Sequence, residues 1–456
     1  MKKTIFVSIT DMFDERLLLS SGVVDLLKTR GHEIIVCSPH FYKELLEKDY
    51  PGIIFETHPS IGNSILNEAL TILWRASQDE LLAFVLRRDL KKLRGLRRLL
   101  LIPNRIFTDQ EKFRLLIKGV DRRVVNRNNP YKHLFMKHKP DLVVTTTDFT
   151  LQHRMVTREA RRLGVRTIRV IRSWDNITSR GHLFEPPDFF IVWNECNKSE
   201  LVQLHGISPE RIFVCGVPHF DILSHFRRME KSEGWPDYCS RNGLDQDRRL
   251  LYILGSVENS GWMLKDVIEL LVQQMKANGL VVPCQLLIRP HPNVINSGKG
   301  PGNMEDLRYF QRLSKDVHIE QPKMMLDAQG ARMQKGDAFA RSENMFFSDL
   351  VIHFYSTIAL EASALDRPNI SIGFDGRNGG NTVRQFEECF HLKPLIETGG
   401  VRIAKSGGDL ISAVNGYLTQ PEKDGEQRQK IVERFIGSND GMATSRVAEM
   451  IHALVM

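Results

Sequence analysis

The sequence lacks the marks of several common protein classes. No apolar run approaches the roughly 18 residues that a membrane-spanning helix needs, and the apolar stretch after Lys3 is too short for a signal peptide. The six cysteines are scattered and form no CxxC pair, which argues against zinc-knuckle and redox motifs and fits a reduced, cytoplasmic setting. The sequence contains no HExxH motif, Walker A lysine or metal-spaced His/Asp cluster, and its first loop lacks GxGxxG. We therefore expect neither a dinucleotide cofactor nor a metal.

Size and charge narrow the alternatives further. The chain has 456 residues with 42% hydrophobic and 26% charged residues, which is typical of a globular protein with more than one domain. Its net charge of +8 is concentrated in one segment. Residues 85–127 hold 14 Lys and Arg against 4 Asp and Glu, so the remainder is close to neutral. The basic character therefore belongs to one local feature.

Short apolar runs alternate with helix-like segments along most of the chain. This pattern predicts parallel sheets covered on both faces by helices, an α/β fold. The polar, Pro- and Gly-punctuated segment 217–247 breaks the alternation, which then restarts. We expect an N-terminal Rossmann-like domain over 1–216, a linker over 217–247, a second Rossmann-like domain over 248–430, and a C-terminal helical segment over 431–456.

The first domain carries a mostly helical insertion at about 61–131. Within it, leucines at positions 86, 90, 93 and 100 fall on one helical face. Basic residues lie beside them, at Arg87, Lys91, Arg94 and Arg98. This spacing predicts a basic amphipathic helix, either packed on the domain or bound at an anionic membrane surface.

Two strand ends in the second domain carry polar side chains. The run LLIRPHPN ends in Arg289 and His291, and two prolines fix the backbone around the histidine. The run DLVIHFYST ends in Ser356 and Thr357, with Glu361 one helical turn further on. Carboxyl ends of parallel strands are where α/β folds bind ligands, and helix N-termini attract anions. We expect a nucleotide phosphate here, although a plain helix cap at Ser356 is an alternative.

These motifs resemble GT-B glycosyltransferases of bacterial surface polysaccharide synthesis. The resemblance rests on the RxHP strand end, on the block from Asp349 to Ala362, and on DGMATSRVAEMI near the C-terminus. Within this group, the sequence is similar to the CDP-glycerol glycerophosphotransferases and the capsule Kdo- and sialyl-transferases. It implies two Rossmann-like domains facing a cleft, with no cofactor beyond the nucleotide-activated donor. His353-Phe354-Tyr355-Ser356 stands where relatives often have Asp-Tyr-Ser-Ser, which argues against a glycerophosphotransferase in particular.

By this resemblance, His291, Ser356 and Thr357 hold the donor phosphates and Glu361 holds the ribose. Arg289 matches the basic residue often found before the His-Pro pair. The implied reaction moves a sugar or polyol phosphate to a glycan or lipid-linked acceptor. We expect this donor, this acceptor and an anionic membrane surface as partners, and no nucleic acid.

The first domain should supply the acceptor site and a base. VIRSWDNITSRG presents Trp174, Asp175, Asn176 and Arg180 together at one strand end. Trp174 is expected to stack on a sugar ring and Asp175 to take a proton. Asp148, which follows VVTTT, is the second candidate base. A tight polar turn that caps a helix is the alternative for both carboxylates.

The first loop adds two further candidates for the acceptor cleft, Asp11 and Arg16. Two other functions remain open from the sequence. One is an isomerase of the UDP-sugar 2-epimerase kind, which shares the two-domain fold. The other is a non-catalytic protein whose basic segment grips a membrane or nucleic acid. The segment lacks the interleaved aromatic residues of single-strand binders, which weakens the nucleic-acid option.

Overall fold

The structure is a computed structural model. It describes residues 2–61, 65–78, 90, 93–125, 129–255, 261–292, 304–327, 330–334, 336–376 and 389–456. The chain divides into two compact units. Unit 1 comprises Met1–His219 and Met442–Met456, and unit 2 comprises Phe220–Gly441.

Unit 1 is built on a parallel sheet of seven described strands in the order β3-β2-β1-β4-β5-β6-β7. The strands are β1 (Thr4–Ser8), β2 (Glu33–Ser38), β3 (Ile54–Thr57), β4 (Leu142–Thr145), β5 (Arg166–Val170), β6 (Phe189–Val192) and β7 (Ile212–Val214). They are short and almost continuously apolar because helices cover both faces, so that Phe6 and Ile5 of β1 belong to separate cores. The strand order reverses between β1 and β4, and the crevice there is the usual ligand position in such sheets.

The helices of unit 1 connect these strands in chain order. They are α1 (Met12–Glu15), α2 (Val23–Thr29), α3 (His40–Asp49), α4 (Ile65–Ala76), α5 (Ile102–Ile106), α6 (Gln110–Val125), α7 (Lys132–His138), α8 (Leu151–Arg162), α9 (Asn176–Ser179) and α10 (Glu195–His205). Shorter turns are a π-helical one at Arg16–Ser20 and 3₁₀ ones at Gly95–Leu101, Pro209–Arg211 and Pro218–Phe220.

The insertion between β3 and β4 is helical where the structure describes it. α4 and α6 pack together through Trp74, Phe113 and Ile117. The expected amphipathic helix is only partly covered, because 86, 87 and 91 lie outside the described residues. Its described end differs from the prediction: Arg94 precedes a 3₁₀ turn that includes Arg98, so the leucine face does not continue as an α-helix.

Unit 2 is built on a second parallel sheet, with six described strands in the order β10-β9-β8-β13-β14-β15. The strands are β8 (Arg249–Leu254), β9 (Cys284–Arg289), β10 (Val317–Ile319), β13 (Leu350–His353), β14 (Asn369–Ile372) and β15 (Arg402–Ala404). A separate antiparallel pair is formed by β11 (Met324–Asp327) and β12 (Gly330–Met333). The order reverses between β8 and β13, which places this crevice between the strand ends predicted from the sequence.

The helices of unit 2 continue the numbering. They are α11 (Asp221–Arg227), α12 (Lys231–Asn242), α13 (Gly261–Lys276), α14 (Met304–Leu313), α15 (Asp337–Phe347), α16 (Ile358–Ala364), α17 (Leu392–Ile396), α18 (Gly407–Thr419) and α19 (Gly425–Ile431), followed by a π-helical turn at Val432–Ile436. The final helix, α20 (Ala443–Val455), returns to unit 1.

The division differs from the sequence-based domain limits at two places. The segment expected to be a linker, 217–247, forms α11 and α12, and all of it beyond His219 belongs to unit 2. The expected C-terminal segment, 431–456, is split at Gly441. α20 packs on α2 because Val447, Ala448 and Ile451 complete the core of unit 1. Local composition cannot predict that a segment distant in the sequence completes a hydrophobic core.

Candidate functional site

In unit 1, a charged cluster lies at the carboxyl ends of β1 and β5. Arg172 Nη1 donates to both carboxylate oxygens of Asp11, at 2.7 and 2.9 Å, and to Asp14 Oδ1 at 3.0 Å. Asp11 also caps α1 by accepting from the Phe13 and Asp14 backbone N–H groups. The first loop and the β5 loop are therefore tied together beside the β1/β4 crevice.

Asp14 is fully buried and anchors this cluster. Its Oδ2 accepts from the Thr10 backbone N–H and hydroxyl, each at 2.8 Å, and its Oδ1 accepts from the Thr146 hydroxyl. Burial works toward a higher pKa, but the Arg172 charge and these hydrogen bonds hold the pKa of Asp14 below its ordinary value. The carboxylate stays ionised and fixes the guanidinium.

His153 lies beneath the cluster and is also fully buried. Its Nε2 is 3.0 Å from the Ser8 carbonyl and its Nδ1 is 3.1 Å from the Thr147 hydroxyl. A carbonyl can only accept, so Nε2 carries the proton and Nδ1 accepts. Burial lowers the pKa of His153 and keeps the ring neutral.

Arg172 also lies close to two aromatic rings. Its guanidinium carbon is 5.5 Å from the centroid of Phe13 and 5.0 Å from that of Phe149, and Arg180 lies 4.8 Å from Phe149. Phe13 is 49% exposed, so its ring faces solvent. Arg16 is half-buried at the start of the π-helical turn.

Asp175 stands at the start of α9 and holds its own turn together. Its Oδ1 accepts from the Ser173 hydroxyl, and its Oδ2 accepts from the Ser179 hydroxyl at 3.0 Å. The Asn176 amide approaches Oδ1 at 3.4 Å. The side chain makes no capping hydrogen bond to the backbone of α9, so it stabilises a polar turn, and a role as base must coexist with these contacts.

Trp174 differs from its predicted role. The side chain is 5% exposed, so its ring is not presented for stacking on a sugar in this conformation. Its carbonyl accepts from the Asn197 amide at 3.1 Å, which links the β5 loop to α10. Phe13 and Phe149 are the aromatic residues that border this edge.

Asp148 supports the loop that precedes β6. Its Oδ2 accepts from the Phe184 backbone N–H at 2.6 Å and lies 3.6 Å from Arg169 Nη1. The insertion supports the same loop, since the Gln78 side chain accepts from the His182 N–H at 2.6 Å. Asp148 therefore has a structural task that the sequence alone did not reveal.

In unit 2, the ends of β8 and β9 meet at a glycine. Gly255 N–H donates to the Arg289 carbonyl at 2.8 Å. A Cβ on Gly255 would lie 3.3 Å from the His291 nitrogen, which is tighter than ordinary contact. The segments that follow β8, β9 and β14, residues 256–260, 293–303 and 377–388, lie outside the described residues.

The Arg289 side chain is engaged in ion pairs within unit 2. Its guanidinium pairs with Glu320 and, at 2.7 Å, with Asp337 Oδ2, and its side chain is 5% exposed. Burial opposes the charge, but Tyr252, Glu320 and Asp337 raise the pKa of Arg289 above its ordinary value. The structure thus gives Arg289 a positioning role: it joins β9 to α15 and orients the backbone that leads to His291.

His291 is half-buried beside this arginine. Burial and the Arg289 charge lower the pKa of His291 to about 4. The imidazole is therefore neutral at physiological pH, and it can offer one N–H to an anion but no full charge.

The end of β13 has a strained backbone. Tyr355 has φ of +34°, a left-handed conformation that bulky residues rarely adopt. Its N–H donates to the Ser371 hydroxyl at 3.0 Å, which holds the turn. Ser356 and Thr357, both half-buried, follow at the start of α16, and Ser356 Oγ accepts from the Ile358 N–H at 3.3 Å. Such strain is often kept at functional sites.

Glu361 lies inside α16 and is 2% exposed. Its Oε2 accepts from Arg341 Nη2 at 2.8 Å, which ties α16 to α15. The carboxylate is thus already engaged in a buried ion pair, and a ribose contact would share it.

Parallel pairing brings the predicted strand ends of unit 2 to one edge. β9 and β13 flank β8, so His291 and Ser356 stand about two strand spacings apart, roughly 10 Å. In unit 1, the same rule brings Asp11 and Arg180 to one edge. Trp174 and Asp148 instead make hydrogen bonds that hold neighbouring segments, to Asn197 and Phe184 respectively. Sequence reasoning missed Asp14, His153 and Arg172; Arg172 directly follows an apolar strand, and that position was the available signal.

Among the residues that the structure describes, no group of three or more His, Cys, Asp or Glu side chains is arranged to hold a metal ion. In the same part of the chain, no helix is both long and apolar enough to span a bilayer.

No protein-family model and no curated protein matches the sequence. Solved structures do match in fold. UDP-GlcNAc 2-epimerase from Neisseria meningitidis bound to UDP-GlcNAc is 13% identical with a TM-score of 0.56, over 99% of this chain and 100% of that chain. The epimerase from Methanocaldococcus jannaschii is 15% identical with a TM-score of 0.54, over 99% and 100%. The wall teichoic acid polymerase TagF is 11% identical with a TM-score of 0.50, over 100% and 89%.

These likenesses confirm the fold class. Each of the two α/β units has a parallel sheet, as in the fold shared by GT-B glycosyltransferases and UDP-GlcNAc 2-epimerases. At such identities they establish the fold alone.

Proposed function

We propose that the protein is an enzyme that acts on a nucleotide-activated donor and transfers its sugar or polyol phosphate to a glycan or lipid-linked acceptor. The observation that carries this proposal is the match of nearly the whole chain to a UDP-GlcNAc 2-epimerase bound to UDP-GlcNAc, together with the match to a wall teichoic acid polymerase. The fold is common to both, so the site residues must carry the rest of the argument.

The donor belongs to the edge of unit 2 in this proposal. Gly255 leaves backbone space beside His291, and the strained turn at Tyr355 presents Ser356 and Thr357. A neutral imidazole N–H and two hydroxyls are suitable donors to phosphate oxygens. Glu361 is the candidate for the ribose, positioned by Arg341.

The acceptor belongs to the edge of unit 1. In an inverting sugar transfer, the acceptor hydroxyl oxygen attacks the anomeric carbon of the donor, a base takes its proton, and the bond from that carbon to the nucleotide phosphate breaks. In a polyol phosphate transfer, the same oxygen attacks the phosphorus bound to the polyol, and the nucleoside monophosphate leaves. Asp175 is our first candidate base and Asp148 the second. Asp11, Arg180 and the exposed ring of Phe13 border the same edge and would orient the acceptor. Hydrogen-bond donors stabilise the departing phosphate, so the proposal needs no metal.

A second function has a specific observation in its favour. Both epimerases match this chain with higher TM-scores than the polymerase does, 0.56 and 0.54 against 0.50. An isomerase would use the same nucleotide site and need no acceptor. The insertion favours transfer, because its helices support the β5–β6 loop, where a second ligand would bind.

A thermal-shift panel of CMP, CDP, UDP, GDP and their sugar or glycerol conjugates tests the shared part of the proposal. A ligand that binds the folded state raises the melting temperature. Incubation of the best conjugate without acceptor then separates the reactions, since an isomerase alters the sugar and a transferase leaves it intact. A panel in which no nucleotide shifts the melting temperature would refute both functions.

A further inference from the structure

Exposed apolar side chains are concentrated in the insertion of unit 1. Of the 20 large hydrophobic residues that are exposed in the described residues, nine lie between positions 65 and 120. They are Ile65, Leu66, Leu99, Ile102, Ile106, Phe107, Leu115, Leu116 and Val120. Single exposed apolar residues are ordinary, but a local concentration marks an interaction surface.

Helix α6 shows this most clearly because it has two apolar faces. Phe113 and Ile117 are buried against α4. Leu115, Leu116 and Val120 are 61%, 52% and 37% exposed. At 100° per residue, Leu115 falls opposite the buried pair, Leu116 about 80° from its centre, and Val120 beside Phe113. One face already packs the domain, so the second is not needed for the fold.

The outer face of α6 is basic at both ends. Lys112 and Arg123 are exposed and fall on the same face as the leucines by helical spacing. Lys112 has one acidic neighbour, Asp109, at 3.0 Å. Across residues 93–125 the sequence has nine Lys and Arg against three Asp and Glu. One of the three, Asp121, is buried and paired with Arg158.

The adjacent helix α5 is held beside α6. The Phe107 ring, 42% exposed, stacks on Phe113 with a centroid distance of 4.5 Å and an interplanar angle of 12°. Gln110 donates to the carbonyls of Asn104 and Phe107. Ile106, which is 71% exposed, is therefore fixed near the first turn of α6.

The buried side of α6 is locked onto the domain. Arg114 donates to the Ser77 carbonyl and Lys118 to the Leu183 carbonyl, both at 2.9 Å. The Asp121–Arg158 pair adds a buried link to α8. These contacts fix the helix in rotation and leave its leucine face directed outward.

We propose that the outer face of α6, with the end of α5, docks on a lipid surface that carries anionic headgroups. Leu115 and Leu116 would enter the interface while Lys112 and Arg123 meet the headgroups. The sequence predicts such a face over residues 86–100, which lie partly outside the described residues; within the described residues we assign it to α6. This goes beyond the proposed function and does not depend on which reaction the protein catalyses.

A second copy of the chain fits this face less well. In a two-fold interface the same patch meets itself, so Lys112 and Arg123 would face a patch that is itself predominantly basic. An anionic bilayer offers both an apolar phase and opposite charge. Self-association is therefore the competing outcome of the test.

Co-sedimentation of the full chain with vesicles tests the proposal. Vesicles of phosphatidylcholine mixed with phosphatidylglycerol should bind the protein, vesicles of phosphatidylcholine alone should bind it poorly, and added salt should weaken binding. Leu115→Gln/Leu116→Gln and, separately, Lys112→Glu/Arg123→Glu should each reduce the bound fraction by about tenfold.

Matched substitutions elsewhere control for general effects. Met136→Gln removes an exposed apolar side chain of unit 1 outside this face, and Lys430→Glu reverses an exposed charge of unit 2. Both should bind vesicles like the natural sequence. Melting temperatures near that of the natural sequence show that each variant is folded.

Three results would overturn the proposal. They are a natural protein that stays in the supernatant with anionic vesicles at low salt, α6 variants that bind as the controls do, or a lipid-independent dimer in sedimentation velocity that the α6 variants abolish. Nucleotide-induced thermal shifts are measured separately, so loss of vesicle binding leaves the proposed function standing.

Discussion

Arg172 and Asp14 form a buried ion pair at the carboxyl edge of unit 1, with Nη1 and Oδ1 3.0 Å apart. The Asp14 side chain is 0% exposed and that of Arg172 is 11% exposed. Asp11, whose side chain is 36% exposed, approaches the same guanidinium at 2.7 Å. One arginine thus joins a deeply buried carboxylate and a partly solvated one, and the two carboxylates should differ in their energetic weight.

Asp14→Asn should destabilise unit 1 by about 3–5 kcal/mol, because it removes the buried partner of Arg172 and leaves the Thr10 and Thr146 donors facing a neutral amide. Asp11→Asn removes a partly solvated partner of the same arginine and should cost under about 1 kcal/mol. Urea unfolding followed by circular dichroism measures both. Equal costs would contradict the assignment of Asp14 as the anchor.

His291→Ala and Ser356→Ala should each weaken nucleotide binding by about 1–3 kcal/mol, since each removes a hydrogen bond to an anion. Isothermal titration with the nucleotide that gives the largest thermal shift measures the change. Ser314→Ala, at the amino end of β10 and hence the opposite edge of the sheet, is the matched control. Unchanged affinity in both site variants, with the fold intact, would remove the donor site from this edge.

Arg289→Leu should act on stability before binding. The substitution leaves Glu320 and Asp337 without their shared cation, and breaking a buried pair costs about 3–5 kcal/mol. The melting temperature of the free protein should fall sharply. An Arg289→Leu protein that melts normally yet fails to bind nucleotide would instead return Arg289 to direct ligand contact.

Asp175→Asn distinguishes a base from a residue that only stabilises its own turn. If Asp175 is the base, the variant binds the donor but loses turnover by orders of magnitude, because proton transfer is removed. Ser179→Ala breaks one hydrogen bond of the same turn and should keep most of the turnover. Parallel losses in the two variants would show that Asp175 only stabilises this turn, and Asp148→Asn would be measured next.

Acid should destabilise unit 2 through its buried histidines. Burial lowers the pKa of His353 to about 4 in the folded state, whereas an unfolded histidine titrates near 6.5. Above pH 6.5 the residue is neutral in both states and has no effect. Between about pH 6.5 and 4 only the unfolded state takes the proton, so stability falls as pH falls.

His353→Gln should flatten this dependence by one residue's share, measured as melting temperature against pH. His291 has the same lowered pKa of about 4 and keeps its own share in the variant, which serves as an internal reference. An unchanged pH slope in His353→Gln would mean that folding does not lower the pKa of His353.

Sequence patterns were enough to predict the fold class and the two sheet edges at which ligands are expected to bind. Short apolar runs such as IFVS in β1 and LLIR in β9 can only be buried on both faces, which requires a parallel sheet with helices around it. Polar residues that follow such runs must emerge at the carboxyl edge. His291, Ser356 and Asp11 were predicted for this reason, and the strand orders place them beside the crevices.

Which of the predicted site side chains are exposed or unpaired enough to contact a ligand could be learned only from the tertiary structure. Arg289 and Glu361 already pair with Asp337 and Arg341, residues 48 and 20 positions away, so a ligand would have to share them. Trp174 is buried, and α20 completes the core of a unit that begins more than 400 residues earlier. Ion pairing and apolar burial depend on partners distant in the chain, and periodicity within a window of a dozen residues carries no information about them.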